Sequence, residues 1–88
     1  MGGEPLGRVR YHQPMDWRDY IHSDPAILVG KPVIRGTRIS VELILEKLAF
    51  QSFDEILLDY PHLNREQLAA VVLYALDVLR TDDVVAPA

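Results

Sequence analysis

Residues 30–41 read GKPVIRGTRISV, and the reading of this stretch decides the path of the chain on both sides of it. Twelve residues hold two glycines, one proline, three cationic side chains and a serine. Gly30 and Gly36 allow positive φ or close backbone approach. Pro32 fixes its own φ and biases Lys31 away from helix. Val33 and Ile34 form a β-branched step that suits a short strand. Gly36-Thr37 then turns the chain, and the Ser40 hydroxyl is placed to accept from the first free N–H groups of a following helix.

Downstream the pattern is helical. The first helix is predicted from Val41 to about Phe50, with Val41, Ile44, Leu45, Leu48 and Ala49 on one stripe. Glu42, Glu46 and Lys47 lie mainly opposite. Ser52 and Glu55 have capping-box spacing, which starts a second helix from Phe53 to about Asp59. Ile56 and Leu57 are its buried side, with Phe53 as a further anchor. Tyr60-Pro61 stops it. Asn64, with Gln67 in the reciprocal position, starts the third helix, Arg65 to about Arg80. That helix carries two apolar stripes, one of Leu68, Val72, Leu76 and Leu79, the other of Val71, Ala75 and Val78. A helix with two such stripes is buried on two sides. One side is expected to serve its own core and the other a second copy or a different protein.

Upstream the signal is thinner. Residues 1–14 are glycine- and proline-rich and are expected to be a mobile arm, residues 15–80 the domain, and residues 81–88 a tail. Met15–Ile21 fits one helical face or a short strand. The strand is favoured, because His22–Pro25 then makes a turn and Ala26–Val29 returns.

At 88 residues the chain holds one domain, and 49% hydrophobic content is a little high for so small a body. Surplus apolar surface of this kind argues for a covering partner or a homodimer. Cysteine is absent, and His12, His22 and His62 lack ligand spacing, so no metal or other cofactor is expected. No apolar run reaches the length of a membrane span, and the N-terminus has no signal-peptide core, so a cytoplasmic location is expected. Charge is divided unevenly. Residues 1–40 hold six basic and four acidic side chains, net +2; residues 41–88 hold three basic and nine acidic, net −6. Two faces with different partners, or ordinary solvated charge, would each produce this.

Three helices with tight turns suit a helix-turn-helix, in which one helix presents its N-terminal side chains to base edges. The candidates there are Asn64, Arg65 and Gln67, residue types able to pair with bases. The alternative is that Asn64 and Gln67 only cap their own helix. A second route to DNA runs through Lys31, Arg35 and Arg38 acting on phosphates. The alternative for these is pairing with Asp24 or Asp59. Nothing at a recognisable spacing resembles a nucleophile with its base, a phosphate loop or a metal-binding carboxylate set, so no enzyme activity is expected.

With those residues in place the chain from about Ile21 to Leu79 closely resembles the small bacterial family known as domain of unknown function 433. The resemblance is carried by Asp24-Pro25, by Gly30-Lys31-Pro32-Val33-Ile34-Arg35-Gly36-Thr37-Arg38-Ile39, by Val41, and by Ile56 with Tyr60-Pro61-His62-Leu63. Gln51 stands where the family usually has glycine, and Ser40 where proline is common. The resemblance implies a mainly α, three-helix, homeodomain-like helix-turn-helix with a short β element in front. It also implies the antitoxin half of a type II toxin–antitoxin pair, which neutralises a PIN-like ribonuclease toxin by direct binding. The complex is expected to bind its own promoter DNA. Trp17, Tyr20, Val71, Tyr74, Ala75 and Val78 are the candidate partner or dimer interface. A stand-alone dimeric DNA-binding regulator and an adaptor homodimer are the competing readings.

Overall fold

Ser40 divides the molecule into a knotted-up front and a helical body. In the computed structural model, which describes residues 15–81, its Oγ accepts from the Leu43 N–H at 3.0 Å and starts helix α1, Val41–Leu48. Helix α2 spans Phe53–Asp59 and helix α3 spans Arg65–Thr81. The capping box before α2 is present in both halves: Ser52 N–H donates to Glu55 Oε1 at 2.8 Å and Glu55 N–H to Ser52 Oγ at 3.1 Å. Asn64 and Gln67 reproduce the same reciprocal pair at the head of α3, at 2.8 and 2.9 Å. Each cap fixes the first turn of its helix and satisfies N–H groups that have no partner inside it.

The front is a hairpin folded from the opening stretch. Strand β1, Ile21–His22, pairs antiparallel with strand β2, Val33–Ile34, in the register Ile21 to Ile34 and His22 to Val33. Thr37 N–H returns to the Ile34 carbonyl at 3.0 Å, with Gly36 at φ 80°, the conformation a type II turn demands at its third position. Thr37 Oγ1 both donates to the Ile34 carbonyl and accepts from the Ile39 N–H. The Pro32 carbonyl accepts from Val41 N–H at 3.0 Å, which ties the hairpin to the first turn of α1.

Two expectations for the front fail. Met15–Ile21 is not one strand. Asp16 Oδ1 accepts from the Arg18 N–H at 3.0 Å and starts a 3-10 turn at Trp17–Asp19, so only Ile21–His22 is extended. Nor do residues 26–29 return as a strand. The chain makes a 3-10-like turn at Leu28–Gly30 in which Leu28 (φ 48°), Val29 (φ 56°) and Gly30 (φ 86°) all have positive φ. Gly30 accepts that conformation freely; Leu28 and the β-branched Val29 do not. Helix α1 also stops two residues early, because Ala49 and Phe50 donate to the carbonyls of Glu46 and Lys47 and tighten the last turn.

The core lies where the three helices meet the hairpin. Ile21, Ile34, Val41, Ile44, Ile56, Leu63, Leu68, Ala70 and Val71 are buried and contiguous. Their strand, α1, α2 and α3 origins show why one strand pair suffices: it roofs a helical core rather than building a sheet of its own. Among the described residues no helix is long and apolar enough to cross a membrane. The arm expected at 1–14 lies outside those residues, as do residues 82–88, while Thr81 belongs to α3.

Candidate partner-binding site

Helix α3 changes character along its length. Its buried residues are Leu68, Ala70 and Val71, all in the first two turns. Beyond them Val72 and Val78 are each 41% exposed and Leu79 69% exposed. Val71 is therefore not an interface residue, as its phase suggested; α1 and α2 close over it within the same subunit. Ala75 is half-buried and Val78 remains open.

One flank of this outer segment is held by the 3-10 turn. Trp17 Nε1 donates to Asp77 Oδ2 at 2.9 Å, and the Trp17 ring meets Tyr74 edge-on at 4.8 Å between centroids. Arg18 covers the outer face of the indole at 4.5 Å and approaches Asp77 at 3.7 Å. Trp17, Tyr20 and Tyr74 pack against the subunit's own core. These three aromatic candidates are thus largely engaged inside the chain. The hydrogen bond from Arg18 N–H holds the Asp16 carboxyl below its ordinary pKa, which keeps the cap ionised.

The other flank is open. A groove of about 370 Å³ runs between α1 and α3, floored by Pro32, Leu45, Ala75, Val78 and Leu79, with Tyr74 at its back. Leu45 was placed on the buried stripe of α1, but it is 36% exposed and belongs to this groove. One edge carries an ion pair. Glu42 lines it and accepts from Lys31 Nζ at 2.9 Å, and this bond raises the Lys31 pKa, with Glu46 adding to the effect through space.

The DNA candidates are dispersed among local partners. Lys31 is tied to Glu42. Arg35 donates through Nε and Nη2 to the Arg18 carbonyl, at 3.2 and 3.1 Å, and pairs with neither Asp24 nor Asp59. Its Nη1 lies 3.5 Å from His22 Nδ1. Arg65 pairs with Asp54 and lies over the Phe53 ring at 5.4 Å. Asn64 and Gln67 are occupied with each other. Arg38 is exposed and has no ion pair among the described residues. Asp77 escaped the sequence reading, since an acidic residue inside an apolar helix reads as solvated. Asp16 directly before Trp17 was the available signal for the turn.

Comparison with known proteins gives consistent results. A solved structure, described as the crystal structure of a DUF433 member protein from Anabaena variabilis ATCC 29413, is 26% identical, with a TM-score of 0.63 over 94% of this chain and 82% of that one. No curated protein matches the sequence. The family model described as "Protein of unknown function (DUF433)" matches residues 21–75, which takes in the hairpin, α1, α2 and most of α3. The chain is a member of the DUF433 family.

Proposed function

We propose that this protein is the antitoxin of a type II toxin–antitoxin system, a cytoplasmic binding module without catalytic activity that neutralises a PIN-like ribonuclease by direct contact. The observation that carries the reading is the outer part of α3, where Val72, Val78 and Leu79 stay exposed although the core has closed over Leu68, Ala70 and Val71. A helix continued past its own core with apolar side chains is matched to another polypeptide. Co-expression with the product of the adjacent gene tests this. The expected result is a complex that co-purifies and relieves growth arrest. A toxic neighbour that is neither bound nor silenced would refute it.

We further infer a homeodomain-like arrangement of α1, α2 and α3, with promoter DNA contacted through the front of the molecule. Arg38 favours this route, because it is the candidate cation with neither an ion pair nor a side-chain hydrogen bond among the described residues, whereas Lys31 and Arg65 are ion-paired and Arg35 is spent on the Arg18 carbonyl. The head of α3 is the weaker candidate: Arg65 is neutralised by Asp54, and Glu66 stands exposed beside it. A stand-alone dimeric regulator would use the same arginine, and differs in shifting promoter DNA without the toxin.

A further inference from the structure

Trp17 steadies the outer half of α3 through Tyr74 and Asp77, and the turn that carries Trp17 must itself be held. That turn is three residues long, Trp17–Asp19, and none of the three is fully buried. A turn so short has too few bonds of its own to keep its shape. Its two backbone bonds, from Asp19 N–H to the Asp16 carbonyl and from Tyr20 N–H to the Trp17 carbonyl, leave the Arg18 carbonyl unpaired within it. Asp16 closes the first end through the Arg18 N–H. The second end is closed from the hairpin, by Arg35. Its Nε and Nη2 both donate to the Arg18 carbonyl, at 3.2 and 3.1 Å, and its backbone N–H donates to the Tyr20 carbonyl at 2.8 Å. Nη1 faces His22 Nδ1 on β1 at 3.5 Å. A cation at the carbonyl end of a helical turn is also favoured by the dipole of that turn.

We infer that Arg35 is a positioning residue for the outer half of α3, acting through the 3-10 turn and not by contact. Arg35 does not line the groove beside that segment. The path is short: the guanidinium holds the Arg18 carbonyl, and the neighbouring Trp17 donates to Asp77 while Arg18 covers its indole. Without the guanidinium the turn keeps its Asp16 cap and the backbone bond at Tyr20, but the Arg18 carbonyl returns to water. Trp17 then loses its fixed approach to Tyr74 and Asp77, and the helix beyond them opens more often. Lysine cannot substitute, because its ammonium is a point donor, whereas the planar guanidinium presents two N–H groups to one oxygen. The link to binding rests on the antitoxin reading. A helix ordered before docking binds more tightly than one its partner must order, since apparent affinity falls with the fraction of competent chains.

Hydrogen exchange and Trp17 emission of the full chain test the positioning. Arg35→Lys and Arg35→Ala are each expected to speed exchange of the Ala75–Arg80 amides by about fivefold to tenfold, the equivalent of one hydrogen bond, and to shift the emission of Trp17, the single tryptophan, to longer wavelength. Asn64→Ala, which removes the cap at the other end of α3, is expected to lower the melting temperature and leave both readouts unchanged. In a Trp17→Ala background the Arg35 variants should add nothing to exchange at those amides. An Arg35 variant that melts earlier without faster exchange at Ala75–Arg80 overturns the inference, as does an Arg35→Lys variant that matches wild type. Calorimetry with the purified product of the adjacent gene tests the link to binding: Arg35→Lys should weaken the complex by about fivefold to tenfold. Unchanged affinity despite faster exchange overturns that link and leaves the antitoxin reading standing. Absence of any wild-type complex overturns the antitoxin reading, and exchange and emission still decide the positioning.

Discussion

Trp17 and Asp77 are joined by a 2.9 Å hydrogen bond from the indole N–H to a carboxylate oxygen, across most of the sequence. Together with the Tyr74 contact, it makes the 3-10 turn the only described element that steadies α3 past Val71 on that flank. Trp17→Phe should keep the edge-on packing and lose the bond, at a cost of about 1 kcal/mol. Trp17→Ala should lose both, about 2 kcal/mol, less than for a fully buried aromatic. Thermal denaturation should then place the alanine variant about 10 °C below wild type. Equal melting temperatures would show that the turn contributes no stability.

The cap of that turn is pH-sensitive in a definite direction. Asp16 has a lowered pKa in the folded protein because the Arg18 N–H stabilises its charged form. A depressed carboxyl contributes its stabilisation above the unfolded value, about 3.9, and loses it as pH falls through the folded one. Fluorescence of Trp17, the single tryptophan, should therefore change as pH is lowered from about 5 to about 3. Asp16→Asn, which keeps a capping acceptor without the charge, should remove that component.

Backbone conformation gives two substitutions of opposite sign. Gly36 has φ 80° with no atom near where a Cβ would stand, so Gly36→Ala pays only the left-handed strain, about 1 kcal/mol. Val29 is 90% exposed at φ 56° and makes no packing contact worth keeping. Val29→Gly should therefore raise stability by up to about 1 kcal/mol. Urea midpoints would check both, and a loss in the second case would mean that Val29 is supported by contacts not visible in its exposure.

Val71 and Val78 lie two turns apart on one stripe but should respond differently to aspartate. Val71→Asp buries an unpaired carboxylate among Ile44, Ile56 and Leu68 and should unfold the domain. Val78→Asp should leave a folded chain, with a circular dichroism spectrum close to wild type. If both variants unfold, the outer half of α3 is more deeply packed than its exposure indicates.

Promoter binding, if it runs through the front, should carry the signature of phosphate contact. Arg38→Ala should lower the slope of log affinity against log salt by about 0.9 per phosphate released. Asn64→Ala should cost about 1 kcal/mol of stability through the lost cap and leave the slope unchanged. A slope that responds to Asn64 and not to Arg38 would return DNA contact to the head of α3.

Legibility in the sequence followed the range of the interaction. Caps act over three residues, so Ser40, Ser52 with Glu55, and Asn64 with Gln67 were readable, and the helix starts they fix are correct to the residue. The Gly36 turn and the Val33–Ile34 step were readable for the same reason. The strand partner was not, because Ile21 meets Ile34 across a turn whose positive-φ leucine and valine no propensity would suggest. The two stripes of α3 each enter the core at their first residue, Leu68 and Val71, and are exposed at Val72, Leu76, Val78 and Leu79, because periodicity does not say where a core ends along a helix. That boundary depends on the lengths of α1 and α2, which is why Val71 was assigned outward and Leu45 inward.

The seventeen residues of α3 make a rod of about 25 Å, buried over its first two turns and held after them on one flank, by Trp17 at Tyr74 and Asp77. A rod held on one flank frays from its free end, so amide protons past Asp77 should exchange far faster than those near Leu68. Any molecule that clamps that end will slow that exchange from the tip inward. Hydrogen exchange along this single helix therefore reports occupancy residue by residue, before the identity of the occupant is known.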